Sequence, residues 1–397
     1  MRIAYINTVL DYGSTGGLVR ACAEDMKQKG HEVLMCYGRY DCKSKEDTFF
    51  FGNKLSTWMH FAMTLLFGRH GLHSSFQTRK LLKRLDAFQP DVVHLHNIHG
   101  FYLNIEMLFK YLKKKNIRIV WTLHDCWSVS GSSAHFDYDG CEKWDEGCVV
   151  CKNTHVYPRV YGFKRQEKNF ALKKRLFTSI DIDKMTIVTP SHWLEDLIKT
   201  TFLNRYHIVT IYNGISLSRF EAKKVQPALD TVELLGVANV WNKRKGFDDF
   251  LELAKMLPKH YHLTLIGLNE KQKDSCPSNV KGILRTSDFH ELVKIYQAAH
   301  IYLNLSYEET MGLTTVEALA CGTPCIVYDK TAVPEVIDTS CGIVCEAGNL
   351  SALKSTIESF DFKQFTGDKC VKRAKLFESA IMLAQYSQVL GANHGTN

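Results

Sequence analysis

Several features that mark whole classes of protein are missing from the 397-residue sequence. No apolar run reaches transmembrane length, no repeat of solenoid period occurs, and the 8 prolines and 25 glycines show no collagen-like or low-complexity bias. The 13 cysteines are too dilute for a disulfide scaffold, and the first residues, Met1 to Ile6, are typical of a strand and not of a secretory signal. We therefore expect a cytoplasmic globular protein with reduced thiols.

A strong charge imbalance is also missing, since 50 basic and 42 acidic residues give a formal net charge of only +8. Nucleic acid is therefore not an expected partner. The basic residues do cluster before the midpoint, which suits phosphate groups or an anionic membrane surface, although a solvated helix face explains any single cluster equally well. The clusters are Arg79–Lys80, Lys83–Arg84, Lys113–Lys115, Lys164–Arg165, Lys168 and Lys173–Arg175.

The longest apolar segment runs from Leu55 to Phe67. It is too short to span a bilayer, but it is suited to lie in a membrane interface. Together with the basic clusters, this segment leads to the hypothesis of a peripheral membrane contact.

Short apolar runs alternate with longer amphipathic segments along almost the whole chain. This alternation is typical of parallel sheets covered by helices on both faces, and the chain is longer than one core usually supports. The sequence therefore predicts an α/β protein with two doubly wound, Rossmann-like domains. The predicted strands are Arg2–Asn7, Glu32–Tyr37, Asp91–His96, Ile117–Leu123 and Met185–Thr189 in the first domain, and Ile208–Tyr212, Val232–Ala238, His262–Ile266, Ile301–Leu305 and Pro324–Tyr328 in the second.

The predicted domain boundary is Thr189–Pro190, because proline stops a strand there and Ser191 can cap the next helix. This gives a first domain of residues 1–189, a second domain of residues 190–367 and a last segment of residues 368–397. The last segment is expected to be a helix that crosses back to the first domain, followed by a polar tail. Ligands of open parallel sheets bind at the carboxyl ends of the strands, so a cleft faced by both domains is the expected site.

The segment from Glu309 to Pro324 follows a predicted strand and combines a glycine turn with a helix start. Gly312 lets backbone approach a ligand, and the amides from Gly312 to Thr315 at a helix amino terminus suit a diphosphate. Glu317 falls about one turn inside the helix, so two carboxylates converge on one pocket and suit ribose and sugar hydroxyls. On spacing alone, a helix-dipole partner at Glu317 and a solvated acid at Glu309 explain the pattern equally well.

The same segment resembles the signature of two glutamates separated by seven residues in the retaining glycosyltransferases of family four, which have the GT-B fold. The resemblance extends over nearly the whole chain, because other segments match in the expected order. These are Gly13–Gly17, Gly30–Val33, Pro90–His96, Pro190–Leu194 and Tyr212–Ile215. It implies an enzyme that moves a sugar, with retention of configuration, from a nucleotide diphosphate sugar to a glycan or a polyprenyl-diphosphate-linked acceptor.

The resemblance implies that residues 1–189 are an acceptor-binding domain and residues 190–367 a donor-binding domain, and the family roles carry over to matching residues of the donor domain. Glu309 is expected to hold donor-sugar hydroxyls, Glu317 the ribose, and Lys245 the leaving diphosphate. Asn239 stands near the position where the family usually has an arginine, so Arg244 is the substitute candidate for a second cation. The nucleobase is expected to lie against the loop from Leu284 to Phe289, which follows a predicted strand near Val280–Ile283. The other expected donor contacts in this domain are Asn239, Met311, Gly312, Leu313 and Thr314.

In the first domain, His124 follows a predicted strand, and the resemblance places it beside the reacting carbon with Asp125 orienting its ring. Gly16 and Gly17 match a loop that contacts the donor phosphates and the acceptor. Without the resemblance, a structural histidine and a simple glycine turn are the commoner explanations. Catalysis is expected to need no metal, since no Asp-x-Asp pair stands beside the phosphate-binding segments.

A cysteine-rich segment follows His124. Cys141, Cys148, Cys151 and His135 form a donor set that fits a structural zinc ion, and a reduced thiol cluster is the alternative. The segment resembles an insertion in a bacterial surface-polysaccharide branch of the family, as does Leu95–Gly100, although Ser133 stands where a cysteine is expected. The branch implies capsule or O-antigen synthesis in the cytoplasm or at the inner face of the plasma membrane.

Two other functions remain open from the sequence. One is a catalytically silent subunit that binds sugar nucleotides, which the asparagine at position 239 favours. The other is a protein-interaction module built on the cysteine segment. The presence of both Glu309 and Glu317 argues for the enzyme.

Overall fold

The computed structural model describes residues 1–42, 44–142, 144–149, 156–222 and 231–391. These residues form two parallel sheets in two compact units. The first unit holds Met1–Ile211 and the chain from Leu383, and the second holds Tyr212–Met382. The predicted fold class, two doubly wound α/β domains, is confirmed.

The first sheet has seven parallel strands in the order β3-β2-β1-β4-β5-β6-β7. Its strands are β1 Arg2–Asn7, β2 Glu32–Tyr37, β3 Thr48–Phe50, β4 Val92–Leu95, β5 Arg118–Thr122, β6 Met185–Thr189 and β7 His207–Thr210. The strand order reverses between β1 and β4, where Ile3 pairs with Val33 on one side and Val92 on the other. Such a switch point opens a crevice at the carboxyl ends of the strands.

Within the described residues up to Ile211, the first unit has six helices. They are α1 Gly13–Gln28, α2 Lys54–Phe67, α3 Ser75–Phe88, α4 Ile105–Lys115, α5 Gln166–Phe177 and α6 His192–Lys199. Asn53, Asn104 and Ser191 cap α2, α4 and α6, because each side chain accepts a hydrogen bond from an amide three residues on. No helix in the described ranges is both long and apolar enough to cross a membrane.

The second sheet has six parallel strands in the order β10-β9-β8-β11-β12-β13. Its strands are β8 Val232–Val237, β9 Tyr261–Ile266, β10 Val280–Ile283, β11 Ile301–Asn304, β12 Cys325–Tyr328 and β13 Gly342–Cys345. The helices are α7 Phe247–Met256, α8 Glu270–Asp274, α9 Phe289–Ala298, α10 Leu313–Ala320, α11 Leu350–Glu358, α12 Gly367–Ala374 and α13 Ser379–Leu390. Here the switch point lies between β8 and β11.

Both faces of the second sheet are buried, which explains why its strands are nearly continuous apolar runs. Successive residues point to opposite faces, so Leu234 joins one buried cluster and Leu235 the other. Both side chains are almost fully shielded from water. Full burial of one such side chain stabilises the fold by roughly 1.5–3 kcal/mol.

The two units divide at Ile211–Tyr212, not at the predicted Thr189–Pro190. The strand predicted at Ile208–Tyr212 for the second domain is β7 of the first sheet, and Val209 pairs with Val188 of β6. The helix that Ser191 caps is therefore a crossover between two strands of one sheet. Proline and a cap mark the start of a helix, but they do not distinguish a crossover from a domain boundary.

The predicted single helix near the carboxyl terminus is two helices, α12 and α13. Between them the chain runs beside Ile215, whose amide donates to the Phe377 carbonyl at 3.0 Å and whose carbonyl accepts from Ser379 N at 2.9 Å. This pairing requires extended backbone at Glu378, which interrupts the helix. Farther on, the guanidinium of Arg118 donates to carbonyls in the last turn of α13, and both groups belong to the first unit.

Candidate functional site

Two loops of the second unit leave the same sheet edge, because β8 and β11 are parallel neighbours. In the loop after β8, Asn242 accepts a hydrogen bond from Lys245 N at 3.0 Å and folds residues 243–245 into a tight turn. Gly246 follows with a φ of 71°, and a Cβ atom there would collide with the carbonyl of Leu305 in the second loop. Glycine at position 246 therefore lets the two loops approach each other.

The approach of the loops brings Lys245 and Glu309 into an ion pair, with their side chains 18% and 19% exposed. Thr331 fixes the Glu309 loop, since its Oγ1 accepts the Glu309 amide at 2.9 Å. A phosphate cation and a sugar-binding carboxylate, both predicted from the sequence, thus lie at one position beside the switch point.

Arg244 also stabilises the loop that carries Glu309. Its Nη1 donates to the carbonyl of Glu308 at 2.7 Å, and its own carbonyl accepts the Tyr307 amide at 2.8 Å. Asn239, which stands near the position of the family's arginine, is exposed in the loop after β8. The structure therefore gives Arg244 a loop-supporting contact, and its role as a diphosphate cation stays a prediction.

The amino terminus of α10 completes this edge of the sheet. Gly312 has a φ of 89°, and a Cβ atom there would lie 3.4 Å from Asn304 Nδ2. The first helical turn is fixed from β11, because Tyr302 donates to Thr314 Oγ1 at 2.7 Å and Asn304 donates to Thr315 Oγ1 at 3.0 Å. A helix amino terminus held in this way carries partial positive charge that favours an anion.

Two other predicted donor contacts contribute to packing. Met311 is buried, and its sulfur accepts the amide of Asn213 at 3.0 Å. Leu284 is half-buried in the loop after β10 and packs against the apolar core of the sheet. The side chain of Met311 therefore faces the core, whereas Leu313 at the start of α10 is half-buried.

Glu317 lies on α10, where its Oε2 accepts a hydrogen bond from the Tyr296 hydroxyl at 2.9 Å. Burial raises the pKa of Glu317 to about 7, against the opposing effects of the Tyr296 hydrogen bond and the charge of Arg219. Arg219 itself stacks 4.0 Å from the ring centroid of Phe289. Arg219 was not predicted as a site residue, whereas Phe289 ends the loop that was expected to lie against the nucleobase.

His124 in the first unit follows β5, and His96 follows the neighbouring strand β4. Nδ1 of His96 lies 3.1 Å from Nε2 of His124, and the two rings stack with an interplanar angle of 15°. Burial lowers the pKa of His124 to about 4, although the charge of Asp125 acts in the opposite direction. His124 is therefore neutral at neutral pH.

Asp125 is hydrogen-bonded to His99, whose Nε2 lies 2.8 Å from Oδ2. Burial alone would raise the pKa of Asp125, but the charge and hydrogen bond of His99 hold it well below its ordinary value. The Tyr157 hydroxyl lies 3.2 Å from Nδ1 of the same histidine. His99 was not predicted, yet its place just after β4 sets it at the edge that carries His124.

Lys173, which the sequence places in a basic cluster, is buried. Its ammonium donates to the carbonyls of Trp127 at 2.6 Å and Ser130 at 3.0 Å, and it lies 3.5 Å from the Trp127 ring centroid. Burial lowers its pKa well below the ordinary value. Lys173 therefore supports the turn after Asp125 and is not available to a phosphate in solution.

Gly16 and Gly17 lie inside the first turns of α1, which begins at Gly13, and not in a loop ahead of the helix. A Cβ atom on Gly16 would lie 3.1 Å from the Asp11 amide nitrogen, whereas one on Gly17 would meet nothing within 4 Å. Asp11 is held in turn by a two-point contact with Arg20. The side of Gly17 is therefore open to a ligand.

The proposed zinc ligands are only partly described. Cys148 is buried and its sulfur accepts the Gly131 amide at 3.0 Å, and Cys141 is half-buried. Cys151 lies outside the described residues. Within the part of the chain that the structure describes, Cys141, Cys148 and His135 do not form a group that could hold a metal ion, so zinc stays a prediction.

The profile described as Glycosyltransferase Family 4 matches residues 16–219, more than half of the chain. The chain belongs to this family. A second profile, Glycosyl transferases group 1, matches residues 218–376 of the transferase, and this match contains β8, α10, Lys245, Glu309 and Glu317. The two matches meet near the boundary between the compact units.

Curated relatives match the transferase over different lengths. WcaC of Escherichia coli (strain K12), described as a putative colanic acid biosynthesis glycosyl transferase, is 33% identical over 135 residues, which are 32% of each chain. The match thus spans about a third of that relative's length. The O-antigen chain mannosyltransferase RfbU of Salmonella typhimurium is 26% identical over 38% of this chain and 44% of its own. EpsD of Bacillus subtilis, a putative glycosyltransferase, is 21% identical over 79% of this chain and 80% of its own length.

Solved structures match over nearly the full length. Sucrose-phosphate synthase of Thermosynechococcus elongatus has a TM-score of 0.68 at 15% identity and covers 98% of both chains. Anabaena HepE in complex with UDP and glucose has a TM-score of 0.63 at 13% identity, covering 99% of the transferase and 100% of HepE. With the two parallel-sheet units, these structures confirm the GT-B fold class.

Proposed function

We propose that the transferase moves a sugar from a nucleotide diphosphate sugar to a hydroxyl of a glycan or lipid-linked acceptor, with retention of configuration. One observation carries the proposal: Lys245, Glu309 and Glu317 lie around the amino terminus of α10 at the switch point of the second sheet. Tyr302 lies within electrostatic reach of both glutamates. The ammonium of Lys245 and the amino terminus of α10 suit the phosphates of such a donor, and the two carboxylates suit its sugar and its ribose.

In the proposed reaction, the bond between the anomeric carbon and the diphosphate oxygen breaks as negative charge grows on that oxygen. Lys245 and the first amides of α10 stabilise this charge more in the transition state than in the ground state. Glu309 accepts hydrogen bonds from donor-sugar hydroxyls, and Glu317 accepts them from the ribose. The acceptor hydroxyl attacks the face that the diphosphate leaves, and its proton passes to the departing phosphate oxygen.

We assign His124 the family role of a hydrogen-bond partner of the donor sugar. Its depressed pKa supports a neutral imidazole, which both donates and accepts. The neighbouring pair of Asp125 and His99 offers a carboxylate and an aromatic ring, which suit hydroxyl groups of an acceptor. We propose no metal ion for the transfer step, so a chelator added to the assay should leave donor consumption unchanged.

The relatives support a role in surface polysaccharide assembly, of the capsule or O-antigen type, because colanic acid and O-antigen synthesis are named for WcaC and RfbU. HepE is described with UDP and glucose, so uridine diphosphate sugars are the first donors to test. We propose that the protein works in the cytoplasm, at the inner face of the plasma membrane.

Thermal shift with uridine, guanosine and adenosine diphosphates and their sugars tests the donor site. A bound nucleotide raises the melting temperature of the wild type. Glu317→Ala should lose most of that shift, whereas Glu252→Ala, at a glutamate 56% exposed on α7, should keep it. Equal shifts in wild type and Glu317→Ala would contradict the assignment of the ribose to Glu317.

A second candidate function is a silent subunit that binds the sugar nucleotide without turnover. Asn239 in place of a cation favours it, as does the contact of Arg244 with the Glu308 carbonyl. Donor consumption measured with and without acceptor glycans separates the two. If the protein binds the donor but does not consume it with any acceptor tested, the result would favour the silent subunit.

A further inference from the structure

Helix α2 directs polar side chains inward. His60 and Thr64 are its buried residues. His60 Nδ1 lies 2.9 Å from Ser74 Oγ, and its Nε2 accepts the Gly71 amide at 3.1 Å. One turn earlier, Ser56 also faces inward and contacts Ser74 at 3.3 Å. The side of α2 that packs on the protein is thus a hydrogen-bonded polar stripe with four-residue spacing.

The outward side of α2 is apolar, which is the reverse of an ordinary surface helix. Six large apolar side chains are exposed: Leu55 by 66%, Trp58 by 65%, Met59 by 53%, Phe61 by 41%, Leu66 by 55% and Phe67 by 36%. Removing one such side chain from water is favourable by roughly 1.5–3 kcal/mol. Because each of these side chains is still partly in water, the fold leaves part of this gain unused, and the outward side is matched to an apolar medium.

A neighbouring segment extends the apolar side. The amides of Tyr161 and Phe163 donate to the carbonyls of Leu65 at 2.9 Å and Leu66 at 2.8 Å, and the Phe163 ring stacks on Phe67 at 5.9 Å. Tyr161 and Phe163 are 64% and 68% exposed. We call the outward side of α2 together with Tyr161 and Phe163 the α2 surface.

The sequence around the α2 surface carries charge of one sign. Between Asp47 and Asp86 there is no aspartate or glutamate. The basic residues in this stretch are Lys54, Arg69, Arg79, Lys80, Lys83 and Arg84. Lys54 begins α2, Arg69 follows its end, and Lys164 follows Phe163, so exposed cations flank the apolar side chains.

We propose that the α2 surface docks on an anionic lipid bilayer, with α2 lying in the plane of the headgroups. Apolar side chains with a basic rim fit such a membrane, where each rim cation contributes on the order of 1 kcal/mol. Two copies of the α2 surface face to face would bring their cations together, which disfavours a dimer. The inference takes its location from the proposed function but does not depend on the transfer chemistry.

Fluorescence of Trp58 tests the proposal directly in the full chain. With vesicles of phosphatidylglycerol and phosphatidylcholine, lipids brominated on the acyl chains should quench tryptophan emission. Trp121, Trp127 and Trp241 are buried and should contribute little to the quenching. Trp58→Phe should still float with the vesicles but lose most of the quenching, because it keeps the apolar character and removes the reporter.

Charge placed on the α2 surface should abolish binding. Leu66→Glu should lower vesicle affinity at least about tenfold, since a buried apolar contact is lost and a repelled charge is gained. Leu376→Glu, at a leucine 54% exposed in the second unit, is the matched control and should bind like the wild type. Both sites are exposed, so melting temperatures should agree with the wild type.

Three outcomes would overturn the docking proposal: no binding of the wild type to anionic vesicles, equal binding of Leu66→Glu, or a wild-type dimer that Leu66→Glu dissociates and that does not bind vesicles. Donor consumption with a water-soluble acceptor is measured on the same proteins. Loss of quenching with intact consumption would reject only the docking surface, whereas quenching without consumption would reject only the proposed transfer.

Discussion

Lys245 and Glu309, 64 residues apart in the chain, form an ion pair at the switch point of the second sheet. Each side chain retains less than a fifth of its exposure. The residue proposed to neutralise the diphosphate and the carboxylate proposed to hold the donor sugar thus lie against each other.

This pairing predicts strong coupling between the two residues. Lys245→Ala and Glu309→Gln should each lower kcat by about 10²–10³, the range found when one transition-state donor is removed. The double variant should lose much less than the product of the two effects, because each single change already breaks the pair. Steady-state kinetics with saturating donor measure the cycle, and strictly multiplicative losses would show that the residues act independently.

The raised pKa of Glu317 predicts that nucleotide binding releases a proton. Burial raises its pKa to about 7, so the free site is partly protonated at pH 7. Ribose hydroxyls that donate to the carboxylate favour its ionised form and lower the pKa, so binding releases a proton near and below pH 7. Binding should therefore weaken as the pH falls from 7 to 5.

Calorimetry in buffers of different ionisation enthalpy measures the released protons. Glu317→Gln cannot ionise, so its binding enthalpy should not change with the buffer. Proton release of the same size in both proteins would assign the effect to another group.

Much of the fold could be predicted because central parallel strands are continuous apolar runs. The predicted bounds of β1, β2 and β6 agree with the structure. The edge strands β3 and β13 were missed, since β3 has three residues and β13 exposes Val344 at 45%. The predicted domain boundary was wrong because Pro190 and Ser191 give the same local signal before a crossover helix as before a new domain.

The candidate site was less predictable than the fold. Glu309, Glu317 and Lys245 were found because their motif is local and resembles a known family. The contacts of Asp125 with His99 and of Arg219 with Phe289 join separate elements, so no local spacing indicates them. The position of His99 after β4, the neighbour of β5, was the one available signal.

Two glycines give a matched test of backbone contact. Gly17→Ala should fold well and gain up to about 1 kcal/mol in free energy of unfolding, because alanine suits a helix and meets nothing within 4 Å. If the donor contacts this backbone, the extra methyl group should still raise KM for the donor. Unchanged KM would remove Gly17 from the binding site.

Gly312→Ala should behave differently. At a φ of 89° alanine is strained, so stability should fall by about 1 kcal/mol or more and the first turn of α10 should shift. Kinetics and thermal unfolding should then show loss of donor binding together with loss of stability. Full donor affinity in Gly312→Ala would contradict a diphosphate site at α10.

The lowered pKa of His124 predicts that the pH profile of kcat has no inflection caused by this histidine. Its pKa near 4 keeps the imidazole neutral from pH 5 upward, so kcat should show no change near pH 6.5 that depends on this residue. His124→Asn preserves a neutral hydrogen-bonding group and should retain more activity than His124→Ala, which we expect to lose about 10²-fold in kcat. An exposed histidine changed in the same way, His262→Ala, serves as the control. An acid limb near pH 6.5 that disappears in His124→Asn would mean that His124 titrates near its ordinary pKa and is not held neutral by burial, because only a titrating His124 produces that difference.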